Sequence, residues 1–148
     1  MTASIDTNVF VYAADPRDQV KQHAAREIIR RTALAGGVVA EQCLFEFVSV
    51  STRRLYVAQE LAVGIAQQWT LILGVIVPPT NIFDLAAAVM KHYKISGWDA
   101  RLVTTCEAAN VSLLLSEDLQ DGGRYGHVTV LNPFKLANGP LIDTALPP

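Results

Sequence analysis

Four carboxylates in this chain deserve separate questions, because their types and settings could support hydrolytic chemistry. Glu46 lies inside Cys43-Leu44-Phe45-Glu46-Phe47-Val48, a helical run of large apolar side chains. Its helical neighbours at three and four residues are Gln42, Cys43, Ser49 and Val50, none of them cationic, so no i, i+4 ion pair is available. Such a carboxylate either meets solvent along a narrow edge or faces something charged, since burying it unpaired is costly. The other three acids have bland readings. Asp6 follows the apolar run Ala3-Ser4-Ile5 and suits a helix N-cap or an Asx turn. Asp99 stands three residues after Ser96, close to capping-box spacing, where an acid also favours the helix dipole. Asp118 sits in Ser116-Glu117-Asp118-Leu119-Gln120-Asp121-Gly122-Gly123, which reads as a turn. If such acids meet in one crevice, they raise one another's pKa, and the site is tolerable mainly around a cation. Oxygen ligands without a His or Cys cluster point to Mg²⁺ or Mn²⁺ rather than zinc. His23, His92 and His127 are scattered without ligand spacing and read as surface residues.

The elements that must position these acids alternate along the chain. Short runs rich in β-branched or other apolar residues read as buried strands at Ala3 to Asp6, Gly37 to Ala40, Val75 to Val77, Val111 to Leu115 and Val128 to Leu131. Between them lie stretches with helical spacing. The clearest carries Ile82, Leu85, Ala86, Val89, Met90 and Tyr93 on one face. Others run from Asp18 to Leu34, with Val20, Ala24, Ile28 and Leu34 expected inward, from Glu41 to Leu55, from Ala58 to Leu73 and from Trp98 to Asn110. Leu61, Ile65 and Trp69 form an apolar stripe that reads by default as core. Strands alternating with helices imply crossover connections, a mostly parallel sheet and helices on both faces. In such sheets functional groups gather at the carboxyl ends of the strands, which is where Asp6 and Asp118 both lie.

Bulk properties narrow the function classes. The 148 residues suit one domain, and with 51% apolar and 18% charged residues there is material for a core and no compositional case for disorder. The apolar runs are too short to span a bilayer, and Met1 to Asp6 lacks the start of a signal peptide, so a cytoplasmic protein is expected. Cys43 and Cys106 read as free buried thiols, with a disulfide as the alternative. Twelve basic against fourteen acidic side chains, a net charge of −2, argue against a wide basic nucleic-acid face. Any nucleic-acid contact must then be local, and Arg17, Arg53, Arg54, Arg101 and Arg124 are the candidate phosphate binders. The domain is expected over residues 1–134, with 135–148 as a flexible or loosely docked tail.

Several pieces, in this order and spacing, resemble the PIN domain of VapC-type toxins. They are Asp6-Thr7-Asn8-Val9-Phe10-Val11-Tyr12-Ala13, Gln42 with Glu46-Phe47, Trp98-Asp99-Ala100, Leu115 to Gly122, and the closing Val128 to Phe134. The resemblance covers residues 3 to 134 and implies a three-layer α/β/α sandwich with a mostly parallel central sheet. It implies a metal-dependent endoribonuclease acting with a cognate antitoxin, often as a homodimer, on an RNA substrate. Carried over by position, the catalytic acids are Asp6, Glu46, Asp99 and Asp118, with Asp6, Asp99 and Asp118 holding Mg²⁺ or Mn²⁺ and Glu46 handling the attacking water. Asn8 and Ser116 fall at supporting positions, while Glu117 and Asp121 are reserve acids. Ala40 departs from the pattern, since similar proteins often cap the glutamate-bearing helix with a hydroxyl there. A phosphodiester hydrolysed by water at a metal needs no covalent nucleophile, which suits a chain without a Ser–His or Cys–His pairing. A haloacid-dehalogenase-like phosphatase also opens on an aspartate after its first strand, but it wants a second acid two positions on, where this chain has Asn8. A silent binding module with the same fold and a nuclease of RNA processing are the other readings.

Overall fold

A computed structural model describes residues 1–148. The elements run β1 (Ala3–Ile5), α1 (Thr7–Ala14), α2 (Gln19–Leu34), β2 (Val38–Ala40), α3 (Glu41–Arg54), α4 (Gln59–Thr70), β3 (Gly74–Ile76), α5 (Ile82–Tyr93), α6 (Gly97–Ala108), β4 (Leu113–Leu115), β5 (Arg124–Tyr125) and β6 (Val128–Leu131). A 3₁₀ turn (Leu136–Asn138) and α7 (Gly139–Ala145) close the chain. The sheet order is β3-β2-β1-β4-β6-β5, parallel throughout except for β5, which pairs antiparallel with β6. Helix α1 packs on both α2 and α3, α3 packs on α4, and α5 packs on α6, giving the three-layer α/β/α sandwich that the alternation implies. No helix is long and apolar enough to cross a membrane.

Topology explains why the site forms where it does. The chain leaves β1 toward β2 and β3 on one side, then returns to lay β4 along the other side of β1. The segments following β1 and β4 therefore diverge from neighbouring strand ends and leave a crevice between them. The Asp6 N–H donates to the Leu115 carbonyl at 3.0 Å, which locks the two carboxyl ends in register. Below them Ile5, Val39, Leu114, Leu115, Val128 and Val130 are fully buried, and Phe10, Phe47 and Trp69 stack to join α1, α3 and α4.

Several expectations are corrected. Helix α1 and strand β5 have no counterpart among the expected elements. Strand β3 is the sheet edge and largely exposed rather than buried. On α2, Val20 is 84% exposed and Leu34 72%, while Ala25, Ile28, Ile29 and Thr32 face the core. The inward stripe lies one residue out of phase because α2 presents to α1 and β1 the face that carries both isoleucines. On α4, Ala62 and Ala66 are the buried positions, Ile65 and Trp69 pack against the core, and Leu61 is 59% exposed. Only Ala86 of α5 is fully buried; Ile82, Val89 and Tyr93 are half-buried, and Leu85 and Met90 are exposed.

The segment 135–148 is folded against the domain. Ile142 (3% exposed) and Leu146 (1%) join the hydrophobic core, and the nearly buried Arg31 guanidinium donates to the carbonyls of Ile142 and Leu146 and to Asp143 at 2.8 Å. Asp121 completes the anchor by accepting from the Asn132 N–H at 2.8 Å and from the side chains of Asn138 and Lys135. Both cysteines are free and buried, and all three histidines are exposed.

Candidate active site

Asp6 occupies the N-cap of α1, where its Oδ1 accepts from the Thr7 N–H at 2.6 Å. The cap reading and a chemical one therefore hold together, because the cap needs only one carboxylate oxygen. The other oxygen, Oδ2, accepts from Ser116 Oγ at 2.6 Å and from Asn8 Nδ2 at 3.3 Å. The same Asn8 amide donates to Asp118 Oδ2 at 3.1 Å, so one NH₂ group bridges two acids from different loops. Ser116 Oγ in turn accepts from the N–H groups of Asp118 and Leu119, which shapes the turn after β4. Asn8 and Ser116, expected as supporting residues, make these contacts directly.

Glu46 projects from the middle of α3 into the same cleft, where two neutral donors hold its carboxylate. Thr7 Oγ1 donates to its Oε2 at 2.6 Å, and Gln42 Nε2 donates to its Oε1 at 2.9 Å. Asp99 sits in the first turn of α6, where Ser96 Oγ accepts from its N–H and donates to its Oδ2 at 2.7 Å. Asp6, Glu46, Asp99 and Asp118 all line one cleft of about 460 Å³, with Arg17, Arg53 and Arg54 among its walls. They are not equally close. Asp6 and Glu46 offer ligand atoms within 4.8 Å of each other, with the Cys43 sulfur as third member; Asp118 joins through Asn8, and Asp99 lines the cleft from its own cap, outside that close group.

Electrostatics single out Asp6. Burial pushes its carboxyl up from 3.8 to about 6, hydrogen bonds from Ser116 and Thr7 hold it down, and the charges of Asp118 and Glu46 push it up further. The residues fit a hard divalent cation. Burial drives the Cys43 thiol well above its ordinary range, so it stays protonated and leaves an all-oxygen donor set. Within the same cleft, Asn8 Oδ1 is buried without a hydrogen-bond partner, an orphan acceptor where a cation or its water would satisfy it.

The reserve acids point elsewhere. Glu117 accepts from Tyr12 Oη at 2.5 Å and from Lys21 Nζ at 2.7 Å, with that ammonium also 3.8 Å from the Tyr12 ring centre. Lys21 and Tyr12 together hold the Glu117 carboxyl below its usual range despite burial. Asp121 serves the C-terminal anchor. Two participants escape a reading based on acids. Thr7, beside Asp6, orients Glu46, and Arg101, considered only for phosphate, donates to Gln42 Oε1 at 2.7 Å and does not line the cleft. The hydroxyl next to Asp6 was the available signal for the first; nothing local signals the second. Ala40 makes no side-chain cap to α3, as its methyl requires.

No curated protein matches the chain. Among solved structures, the VapC20 toxin of Mycobacterium tuberculosis, described as cleaving the sarcin-ricin loop, is similar with a TM-score of 0.62 at 13% identity, over 79% of this chain and 90% of that one. VapBC2 of Rickettsia felis, bound to a DNA fragment from its promoter, matches with a TM-score of 0.64 at 14% identity, over 89% of this chain and 98% of the other. VapBC-1 of nontypeable Haemophilus influenzae matches with a TM-score of 0.64 at 16% identity, over 91% and 100%. Identities this low establish a shared fold. The family profile goes further: the PIN domain model matches residues 3–120, and the chain therefore belongs to the PIN domain family.

Proposed function

We propose that the protein is a metal-dependent endoribonuclease and the toxin of a toxin–antitoxin pair. One observation carries the reading: acids from four separate elements face a single cleft around the buried Asp6, in a chain of the PIN family. Asp6, Asp99 and Asp118 would hold one or two Mg²⁺ or Mn²⁺ ions, which supply acidified water and offset charge on the phosphate. Glu46, steadied by Thr7 and Gln42, orients the attacking water and takes its proton. Water attacks phosphorus, the bond to the 3′ oxygen breaks, the leaving oxygen takes a proton from solvent, and the products carry a 5′-phosphate and a 3′-hydroxyl. Arg53 and Arg54 are exposed on the cleft wall and form no ion pair, so they are free to meet RNA phosphates; Arg17 is already bidentate with Asp15.

An antitoxin and a second copy belong to the same reading, which places the protein in the cytoplasm. Exposed apolar side chains available to such partners include Phe83, Leu85 and Met90 on α5, and Phe45, Val63 and Val75 around the groove between α3 and α4. The test is incubation of partner-free protein with total RNA and Mg²⁺ or Mn²⁺, beside reactions containing EDTA or Asp6→Asn. Discrete cleavage lost in both controls supports the reading. A 2′,3′-cyclic phosphate at the cut removes the water step, and activity surviving Asp6→Asn removes the site.

A further inference from the structure

We propose that Gln42 is a positioning residue for Glu46, and that Arg101 sets the orientation of its amide from outside the cleft. The inference rests on the reading of Glu46 as the group that handles the attacking water. Gln42 lies one helical turn before Glu46 on α3 and is 6% exposed. A glutamine amide has two ends of nearly equal shape, and which end meets Glu46 decides whether the contact attracts or repels. Here three neighbours make the choice. Arg101 Nη1 donates to Gln42 Oε1 at 2.7 Å, while Gln42 Nε2 donates to Glu46 Oε1 at 2.9 Å and to the Trp98 carbonyl at 3.1 Å. A guanidinium can only donate; a carbonyl and an ionised carboxylate can only accept. Turning the amide by half a revolution would set donor against donor once and acceptor against acceptor twice. The NH₂ is thereby fixed toward Glu46.

Thr7 Oγ1 grips the second Glu46 oxygen, so both oxygens are held by neutral donors from different elements. Each retains a lone pair, which leaves the carboxylate aimed but still able to bind water. The clamp fixes direction without cancelling charge. Arg101 reaches Gln42 from the α5–α6 side, where it borders an adjoining pocket with Phe83 and Met90 that shares Trp98 with the acidic cleft, and Arg101 itself does not line that cleft. An effect of Arg101 on turnover would therefore pass through Gln42, whereas an arginine gripping RNA would act on KM.

The experiment compares Gln42→Met, Arg101→Met, Arg101→Lys and the double variant Gln42→Met/Arg101→Met with wild type, each confirmed folded by its melting curve. At saturating RNA, Gln42→Met is expected to lower kcat roughly 10–100-fold, the range of lost orienting contacts around a reactive centre. KM should move less than about twofold, because both ends of the Gln42 amide are spent on protein partners rather than offered to substrate. Arg101→Met lowers kcat less, Arg101→Lys recovers most of it through one retained hydrogen bond, and the double variant is no slower than Gln42→Met alone. Wild-type turnover in Gln42→Met, or full additivity in the double variant, overturns the proposal. A second readout needs neither metal nor RNA: in the metal-free protein the Gln42 side-chain amide protons should exchange slowly with solvent and become fast in Arg101→Met. Fast exchange already in wild type overturns the proposal. If wild type cleaves no RNA, the nuclease reading fails by itself and the amide exchange still decides the positioning.

Discussion

Replacing Asp6 by asparagine should abolish cleavage and yet make the metal-free protein more stable at neutral and alkaline pH. Asp6 is 5% exposed, and its carboxyl is raised from 3.8 to about 6, chiefly by burial. The folded state thus holds this proton more tightly than the unfolded chain does. Its stabilising contribution is full below pH 3.8 and is lost as the pH rises through about 6. The gap between the two values amounts to about 3 kcal/mol lost above that range. Asparagine removes the charge, keeps an acceptor for the Thr7 N–H and gives up the second acceptor that serves Ser116 and Asn8, at a cost of about 1 kcal/mol. The net gain is about 2 kcal/mol at pH 8, or roughly 4–8 °C in Tm for a chain of this length. Thermal melts in EDTA at pH 8 and pH 4 are the assay. The variant should melt higher at pH 8, with the advantage shrinking or reversing at pH 4. Adding Mn²⁺ should raise wild-type Tm and leave the variant nearly unmoved, because a ligand that binds only the folded state stabilises it. A variant destabilised equally at both pH values would refute the argument, since burial of an ionised Asp6 would then cost nothing.

Glu46→Gln should keep RNA binding while losing at least about 100-fold in single-turnover cleavage, the usual scale for a removed general base; unchanged cleavage would remove Glu46 from the reaction. Arg53→Gln and Arg54→Gln should each weaken RNA binding and flatten the slope of log affinity against log salt by about 0.7, as expected for one lost phosphate contact on a single strand. Ile142→Ala should cost about 2–5 kcal/mol by chemical denaturation, as a core truncation does, and a loss below about 0.5 kcal/mol would mean that α7 is not docked in solution. Ala40→Ser supplies the missing cap of α3 and should add about 1 kcal/mol, read as a higher denaturation midpoint at unchanged slope.

What the sequence determined by itself is local or follows from chain connectivity. Alternating β-branched runs and helical periods are written in neighbouring residues, and a parallel sheet with crossover helices follows from them. Given that sheet, Asp6 and the turn holding Asp118 lie at the same end and could converge, and the strand order that sets β4 beside β1 brought them together. The anomaly at Glu46 was equally local: an acid among apolar residues without an i, i+4 cation. Its answer was not. Tertiary packing brought Thr7 to one oxygen and fixed Gln42 against the other through Arg101, 59 residues further along the chain. Periodicity announces that α2 has an apolar face, but contacts with α1 and β1 chose Ala25, Ile28 and Ile29 over Val20 and Leu34. Neighbouring acids in one turn were sorted the same way: Asp118 stayed at the cleft, Lys21 and Tyr12 drew Glu117 aside, and Asp121 went to the anchor of a segment that local composition marks as loose. The reason is physical. Propensity and period act within a few residues, whereas a side chain's burial and hydrogen-bond partners depend on which distant surfaces the fold presses together.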